Sequence, residues 1–283
     1  MAQSDLNCAN LALRLLGSRF VLTGSAGILD ASVDTSVEGL ACIANIADCK
    51  RALLRGAEFN FSITRKNVSA QFVSITTITD SGGLFLVTKA THGYSTGDRV
   101  TIKDATSFST ANGTWTITVV SVNTFTLDDS VYATTSGITY GSYTTAAAFT
   151  YAYSIALPTD CLRILEINEN ETPEAHKIES GRILTDDEDL RIRYVKDVTD
   201  YTLMDALFYQ VLAHYLAYNI CDHITASDGK KNELHGYLYG TDGKRGILGS
   251  AKFSDATEDG SISVQANDWI GARFGSEDDL TRI

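Results

Sequence analysis

Apolar residues recur at helical spacing towards both ends of the chain and alternate with polar ones through its middle. Near the N-terminus Leu6, Ala9, Leu13 and Leu16 share one helical face, Ser4 and Asp5 stand where a cap is needed, and Gly17 supplies the stop. A second helix is predicted to begin after Asp34 and to run to Arg55, ended by Gly56. Val37, Leu40, Ala41, Ala44 and Ala47 line one side of it, and Ile43, Ile46 and Leu53 another, so burial between neighbours is expected. From about Val68 the texture changes to short runs of Thr, Ser, Val and Ile, punctuated by Asp80-Ser81-Gly82-Gly83, His92-Gly93, Gly97-Asp98, Asn112-Gly113 and Ser136-Gly137. These are strands with turns, and Asn112-Gly113 is predicted to be a hairpin turn leading into the strand Thr114 to Val122.

Tyr151 to Ile167 reads as strand, turn at Pro158-Thr159-Asp160, and strand. Lys177 to Leu184 and Asp189 to Val195 are predicted to pair with each other around Thr185 to Glu188. Around Asp200 the period becomes helical: Leu203, Leu207, Val211, His214, Tyr215, Tyr218 and Cys221 share a face of a long helix ending near Ala226. Ser227 or Asp228 then caps a last helix, expected over about 229–255. Gly236, Gly240, Gly243, Gly246 and Gly249 recur through it, each costing up to about 1 kcal/mol against alanine. Either they line one face and admit a closely packed helix, or the segment is partly loop; we adopt the first reading, with Gly236, Gly240 and Gly243 as the close-packing residues. Beyond Asp255 come polar, acidic residues and then NDWIGARF, whose Trp269, Ile270 and Phe274 are isolated anchors that, with Arg273, are candidate docking residues.

The pattern predicts an α+β chain: a helical bundle with antiparallel strands, formed by residues 1–67 and 149–258, an inserted all-β domain at 68–148, and an extended tail at 259–283. A composition 44% hydrophobic and 20% charged suits a packed core. The net charge of -12 repels a phosphate backbone and disfavours direct DNA binding. No signal peptide or membrane span is expected. Cys8, Cys42, Cys49, Cys161 and Cys221, an odd and scattered set, are expected to be reduced, buried thiols in a cytoplasmic setting.

Catalytic chemistry finds little purchase. In GTDGKRG, Leu238 stands five residues before Gly243 where a phosphate loop needs glycine, and Arg245 follows Lys244 where serine or threonine should bind magnesium. Asp186, Asp187, Glu188 and Asp189 lack EF-hand spacing and read as a solvated turn. His214 and His223 lie nine apart with no HExxH pattern, and His92, His176 and His235 fall in other elements. No cysteine carries a nucleophile signature, and Tyr201, Tyr209, Tyr215 and Tyr218 suit core and subunit packing. No catalytic, cofactor-binding or metal residue is assigned.

The succession LALRLLG, CKRALLRGAEFNF, YSIALPTDCLRILEI, IESGRIL and LRIRYVKDVTDYTLMDALFYQVLAHYLAYNI, followed by a helix reaching Ala251 and Asp255, resembles the adaptor, or tail tubular A, family of short-tailed bacteriophages. The resemblance covers residues 1–65 and 150 to about 258. The chain departs from the family pattern at Glu58-Phe59-Asn60-Phe61, where a tryptophan-containing aromatic pair is expected, in its glycine-rich last helix, and in the insertion. THGYSTGDRVTIKD, NGTWTITVV and NTFTLDD within that insertion resemble a small β module of phage tail and virion proteins. The resemblance implies a non-enzymatic virion protein without cofactors, assembled in the host cytoplasm, that forms a twelve-membered ring joining the portal protein to a tail nozzle protein. It further implies a part of the DNA ejection channel, through which double-stranded DNA passes without specific binding; the insertion is expected to be a peripheral decoration that widens the ring or supports adjacent tail fibres. No membrane partner is expected. The alternative is a tail component for host or glycan recognition.

Overall fold

The computed structural model describes residues 3–19, 21–25, 27–133, 139–145, 151–168, 175–241 and 243–258. The chain is α+β, and it divides into two compact units: one of residues 1–53, 57–61 and 200–283, the other of 54–56 and 62–199. The strands at 63–69 and 153–196 therefore belong with the strands between them, not with the helices.

The first unit is helical and draws on both ends of the sequence. Helix α1 (Asp5–Leu15) is capped as expected, the Ser4 hydroxyl accepting from the Asn7 N–H at 3.2 Å, and Gly17 leaves the helix at a φ of 81°. Cys8, Ala9, Ala12 and Leu13 form its buried face. A short hairpin of β1 (Gly24–Ser25) and β2 (Ile28–Leu29) leads to α2 (Val37–Gly56).

The cap of α2 is a network. The Ser36 hydroxyl accepts from the Gly39 N–H at 3.0 Å, while the buried Asp34 carboxylate accepts from the N–H groups of Thr23 and Ser36, each at 3.0 Å, and from the Ser36 hydroxyl. These donors, the Ser36 hydroxyl first, hold the Asp34 pKa below the ordinary carboxylate range. A depressed folded-state pKa gives stability that is present above the unfolded value and is lost as pH falls through the folded one. Asp34→Asn is accordingly expected to cost about 1–2 kcal/mol at neutral pH. In denaturant titrations at stepped pH, the gap between the two proteins should close as the medium becomes acid enough to protonate Asp34.

Helix α3 (Ala206–Ile224) is the hub of this unit. A 3-10 turn over Tyr201–Leu203 precedes it, and Asp205 caps it through the N–H groups of Leu207 and Phe208. One buried face over Leu203 to Cys221 was expected; instead Phe208, Val211, Leu212, Ala213, Leu216, Ala217 and Ile220 are buried around most of the circumference, and Leu203 is exposed in the turn. A helix apolar on nearly all sides is one surrounded by neighbours. Phe208 meets Phe59 and Phe61 edge-on at centroid distances of 4.8 and 4.9 Å. The Tyr209 hydroxyl donates to the Ser4 carbonyl at 2.8 Å, which ties α3 to α1.

Two helices replace the last one. Helix α4 (Asp228–Tyr239), capped by Ser227, stops at Gly240, and α5 (Ile247–Glu258) starts afresh after a connection. The Asp255 carboxylate on α5 accepts from the Asn60 N–H at 3.0 Å, which fixes the segment carrying Phe59 and Phe61.

The second unit holds the sheets. A seven-stranded antiparallel sheet runs in the order β4 (Val73–Ser74), β10 (Ser142–Thr145), β7 (Arg99–Lys103), β8 (Gly113–Ser121), β9 (Thr124–Leu127), β6 (Leu84–Thr88), β5 (Thr77–Ser81). Its edge strands β4 and β5 are separated only by Ile75 and Thr76, whose reach is about 11 Å. A flat sheet would hold them about 29 Å apart, so this one curls until its edges approach. Phe85, Val87, Val100, Ile102, Ile117, Phe125 and Leu127 fill the inside.

Gly82 and Gly83, with φ of 65° and 88°, form the two-residue β5–β6 turn that the sequence signals. Asn112-Gly113 is not a hairpin turn. Ile102 pairs with Gly113, so the β7–β8 connection spans the 3-10 segment Thr106–Ala111, and Asn112 closes it by accepting from the Ala105 N–H at 3.0 Å.

Two three-stranded antiparallel sheets complete this unit: β11 (Tyr153–Ala156), β14 (Arg182–Thr185) and β13 (Lys177–Glu179) in that order, and β12 (Cys161–Ile167), β15 (Asp189–Lys196) and β3 (Ile63–Ser69). The strands flanking Pro158-Thr159-Asp160 thus enter different sheets. The expected pairing of 177–184 with 189–195 is also absent, because residues 177–185 fold back on themselves around Ser180-Gly181, both at positive φ, while β15 pairs with β12 and β3.

Candidate interaction surfaces

On α2 only one of the two apolar faces is used. Gly39, Cys42, Ile46, Cys49 and Leu53 are buried, whereas Val37, Leu40, Ala44 and Ala47, spaced at three- and four-residue steps on another side, are open to solvent. Val37 is 71% and Leu40 46% exposed. This stripe is a candidate surface for a partner.

The glycines expected to admit a neighbouring helix do something else. Gly240 has φ 91° and ψ 164°, a region open only to glycine, and a Cβ there would lie 2.0 Å from the Lys244 carbonyl oxygen. Gly246 comes as close to the Leu238 carbonyl oxygen, at 2.2 Å. These are approaches of one loop to itself, so the glycine stripe is a helix break. Gly243 is at positive φ with open space around it, and Gly236 faces only the Thr241 methyl at 3.0 Å. Trp269, Ile270, Arg273 and Phe274 lie outside the described residues.

The break leaves aromatic side chains of α4 outside: Tyr237 and Tyr239 are 56% and 48% exposed. Tyr237 stacks on the His214 imidazole, centroids 4.5 Å apart, beside a groove of 660 Å³ lined also by Leu15, Lys230 and Glu233. Burial lowers the His214 pKa, against the opposing hydrogen bond in which its Nδ1–H donates to the Gln210 carbonyl at 2.8 Å. On α5 Phe253 is exposed, with the Arg245 guanidinium 4.6 Å from its ring centroid. Sequence reading placed no candidate at Tyr237, Tyr239 or Phe253, because their exposure depends on where the helix ends.

The other candidates serve the fold. Asp186 accepts from the Ala152 N–H at 2.8 Å, Asp187 from Asn168 at 3.3 Å, and Glu188 pairs with Lys103. Among the described residues no group of three or more His, Cys, Asp or Glu side chains is placed to hold a metal ion. All five cysteines are free thiols, and burial pushes Cys42 up to about 12 and Cys49 to about 11, far from thiolate reactivity at neutral pH. Among the described residues no helix is long and apolar enough to cross a membrane. A scan against protein-family models matches none, and a search of curated proteins finds no match.

Proposed function

We propose that the chain is a structural virion protein, a head-to-tail adaptor whose copies form a ring between portal and tail nozzle and line part of the DNA ejection channel. The observation that carries this reading is the exposed stripe of α2, an apolar face on a helix whose other side is already in the core. Head-to-tail contacts through such a face close into a ring by rotation. Of the segments that carry the resemblance, those around α1, α2 and α3 and the helix reaching Asp255 lie in the helical unit, with α1 bonded to α3 and α5 to the Phe59 segment. The acid excess, net -12 per chain, suits a channel that DNA must cross without adhering. In this reading the helices form the bundle that packs ring neighbours, and residues 68–148, which fold with the strands on either side of them, are a peripheral decoration. Trp269, Ile270, Arg273 and Phe274 dock on portal or on a neighbour.

The test is to mix the purified chain with portal rings and to weigh the products by native mass spectrometry. The expected product holds one subunit per portal protomer, and Leu40→Asp should abolish it while leaving the far-ultraviolet circular dichroism unchanged. Absence of any complex, or a Leu40→Asp protein that assembles as the parent does, overturns the reading.

A further inference from the structure

Arg182 opens β14 in the second unit, and both of its described hydrogen bonds go to neutral oxygens of one residue. Its Nε donates to the Ser154 hydroxyl at 2.6 Å and an Nη to the Ser154 carbonyl. Ser154 is 7% exposed and sits in β11, so the guanidinium is held in one orientation by a strand interior. Glu179 is the cross-strand partner of Arg182 in β13, yet no ion pair joins them, and among the described residues no carboxylate pairs with Arg182. A fixed planar fork with no carboxylate partner among the described residues is the geometry that receives a carboxylate.

The guanidinium lies in the wall of a 280 Å³ pocket where β11 and β14 meet β4 and β10 of the curled sheet. The other polar side chains of that wall are hydroxyls and an amide: Ser69, Gln71, Tyr94, Thr144 and Ser154. None is acidic. Val73 and Ala156 give small apolar surfaces, and Tyr94 an amphipathic ring. Pockets for drug-sized ligands measure about 300–1,000 Å³, so this one suits a single ring and not an oligomer threaded through it. One cation, several neutral donors and acceptors and a small apolar wall match a molecule with one carboxylate, several hydroxyls and a carbon ring. We propose that this pocket binds a single uronic acid residue, its carboxylate on Arg182 and its hydroxyls on the Ser, Thr, Gln and Tyr side chains. The proposal is independent of the adaptor reading.

The test is saturation-transfer NMR of the full chain with glucuronate, and with glucose and acetate as controls. Glucuronate should show transfer, while glucose lacks the charge and acetate the hydroxyls, so both should show far less. Arg182→Gln should weaken glucuronate binding about tenfold or more, the loss of a charge-assisted pair. Because Arg182 also ties β14 to β11, Ala156→Trp provides a second variant; the side chain is exposed, fills the pocket from its rim, and should block binding with the strands intact. Titration with a short oligouronate separates a polymer end from the free sugar as the source. No transfer with glucuronate, equal transfer with glucose or acetate, or binding that survives both substitutions overturns the proposal.

Discussion

Replacing Phe208 by alanine is expected to destabilise the helical unit by about 3–5 kcal/mol, the range for deleting a fully buried aromatic side chain. Phe208 is 0% exposed and stands at the point where α3 receives Phe59 and Phe61, both edge-on to its ring. Truncation removes the transfer free energy of the ring, opens a cavity that a helix packed on most sides cannot collapse into, and strips two aromatic contacts worth about 0.5–1.5 kcal/mol each. Urea denaturation followed at the helical signal should show a lowered midpoint. Phe208→Leu should recover part of the loss by refilling the volume. A midpoint unchanged in Phe208→Ala would mean that Phe208 is not the packing centre that its contacts indicate.

The second large effect is expected at Gly240, and its contrast with Gly243 makes it diagnostic. Both glycines lie between α4 and α5 at positive φ, 91° and 75°. At Gly240 an alanine would meet a glycine-only backbone region and a Cβ 2.0 Å from the Lys244 carbonyl oxygen, and neither can be relieved by turning a side chain. Gly240→Ala should therefore cost about 2–5 kcal/mol, from backbone strain and a forced shift of the loop together. At Gly243 a Cβ meets nothing within 4 Å, and Gly243→Ala should cost only about 1–2 kcal/mol, the left-handed penalty alone. Thermal unfolding of the two variants side by side checks the order. Equal melting temperatures would return the segment to a continuous helix in which the glycines are interchangeable.

The glycine segment shows where reading from sequence stops. Glycines every three or four residues carry the period of a helix, and a helix with a small-residue stripe and a glycine-rich loop look alike when only spacing is visible. What separates them is φ at Gly240 and Gly243, and that is set by the return of the chain from Tyr239 to Ile247. Asn112-Gly113 misled for the same reason. The dipeptide favours a two-residue turn, yet the register of β7 with β8 puts Gly113 inside the ladder. Arg182 carries no local motif at all, because its pocket is made by strands far apart in the sequence.

Caps, stops and periods were legible because they are decided within a few residues. Ser4 and Ser227 cap their helices, Gly17 ends one and Gly82-Gly83 makes its turn, whereas the first strand of the second unit begins at Ile63, ahead of the change of texture near residue 68. The span of α2 was legible too, but burial of both its apolar sides was not borne out, since Val37, Leu40, Ala44 and Ala47 are exposed. Which face of α2 enters the core, which strands share a sheet, that α3 is enclosed and not merely one-sided, and where the last helix breaks were decided by tertiary structure alone. Each depends on partners distant in the chain, whose burial outweighs the fractions of a kcal/mol that local preference contributes.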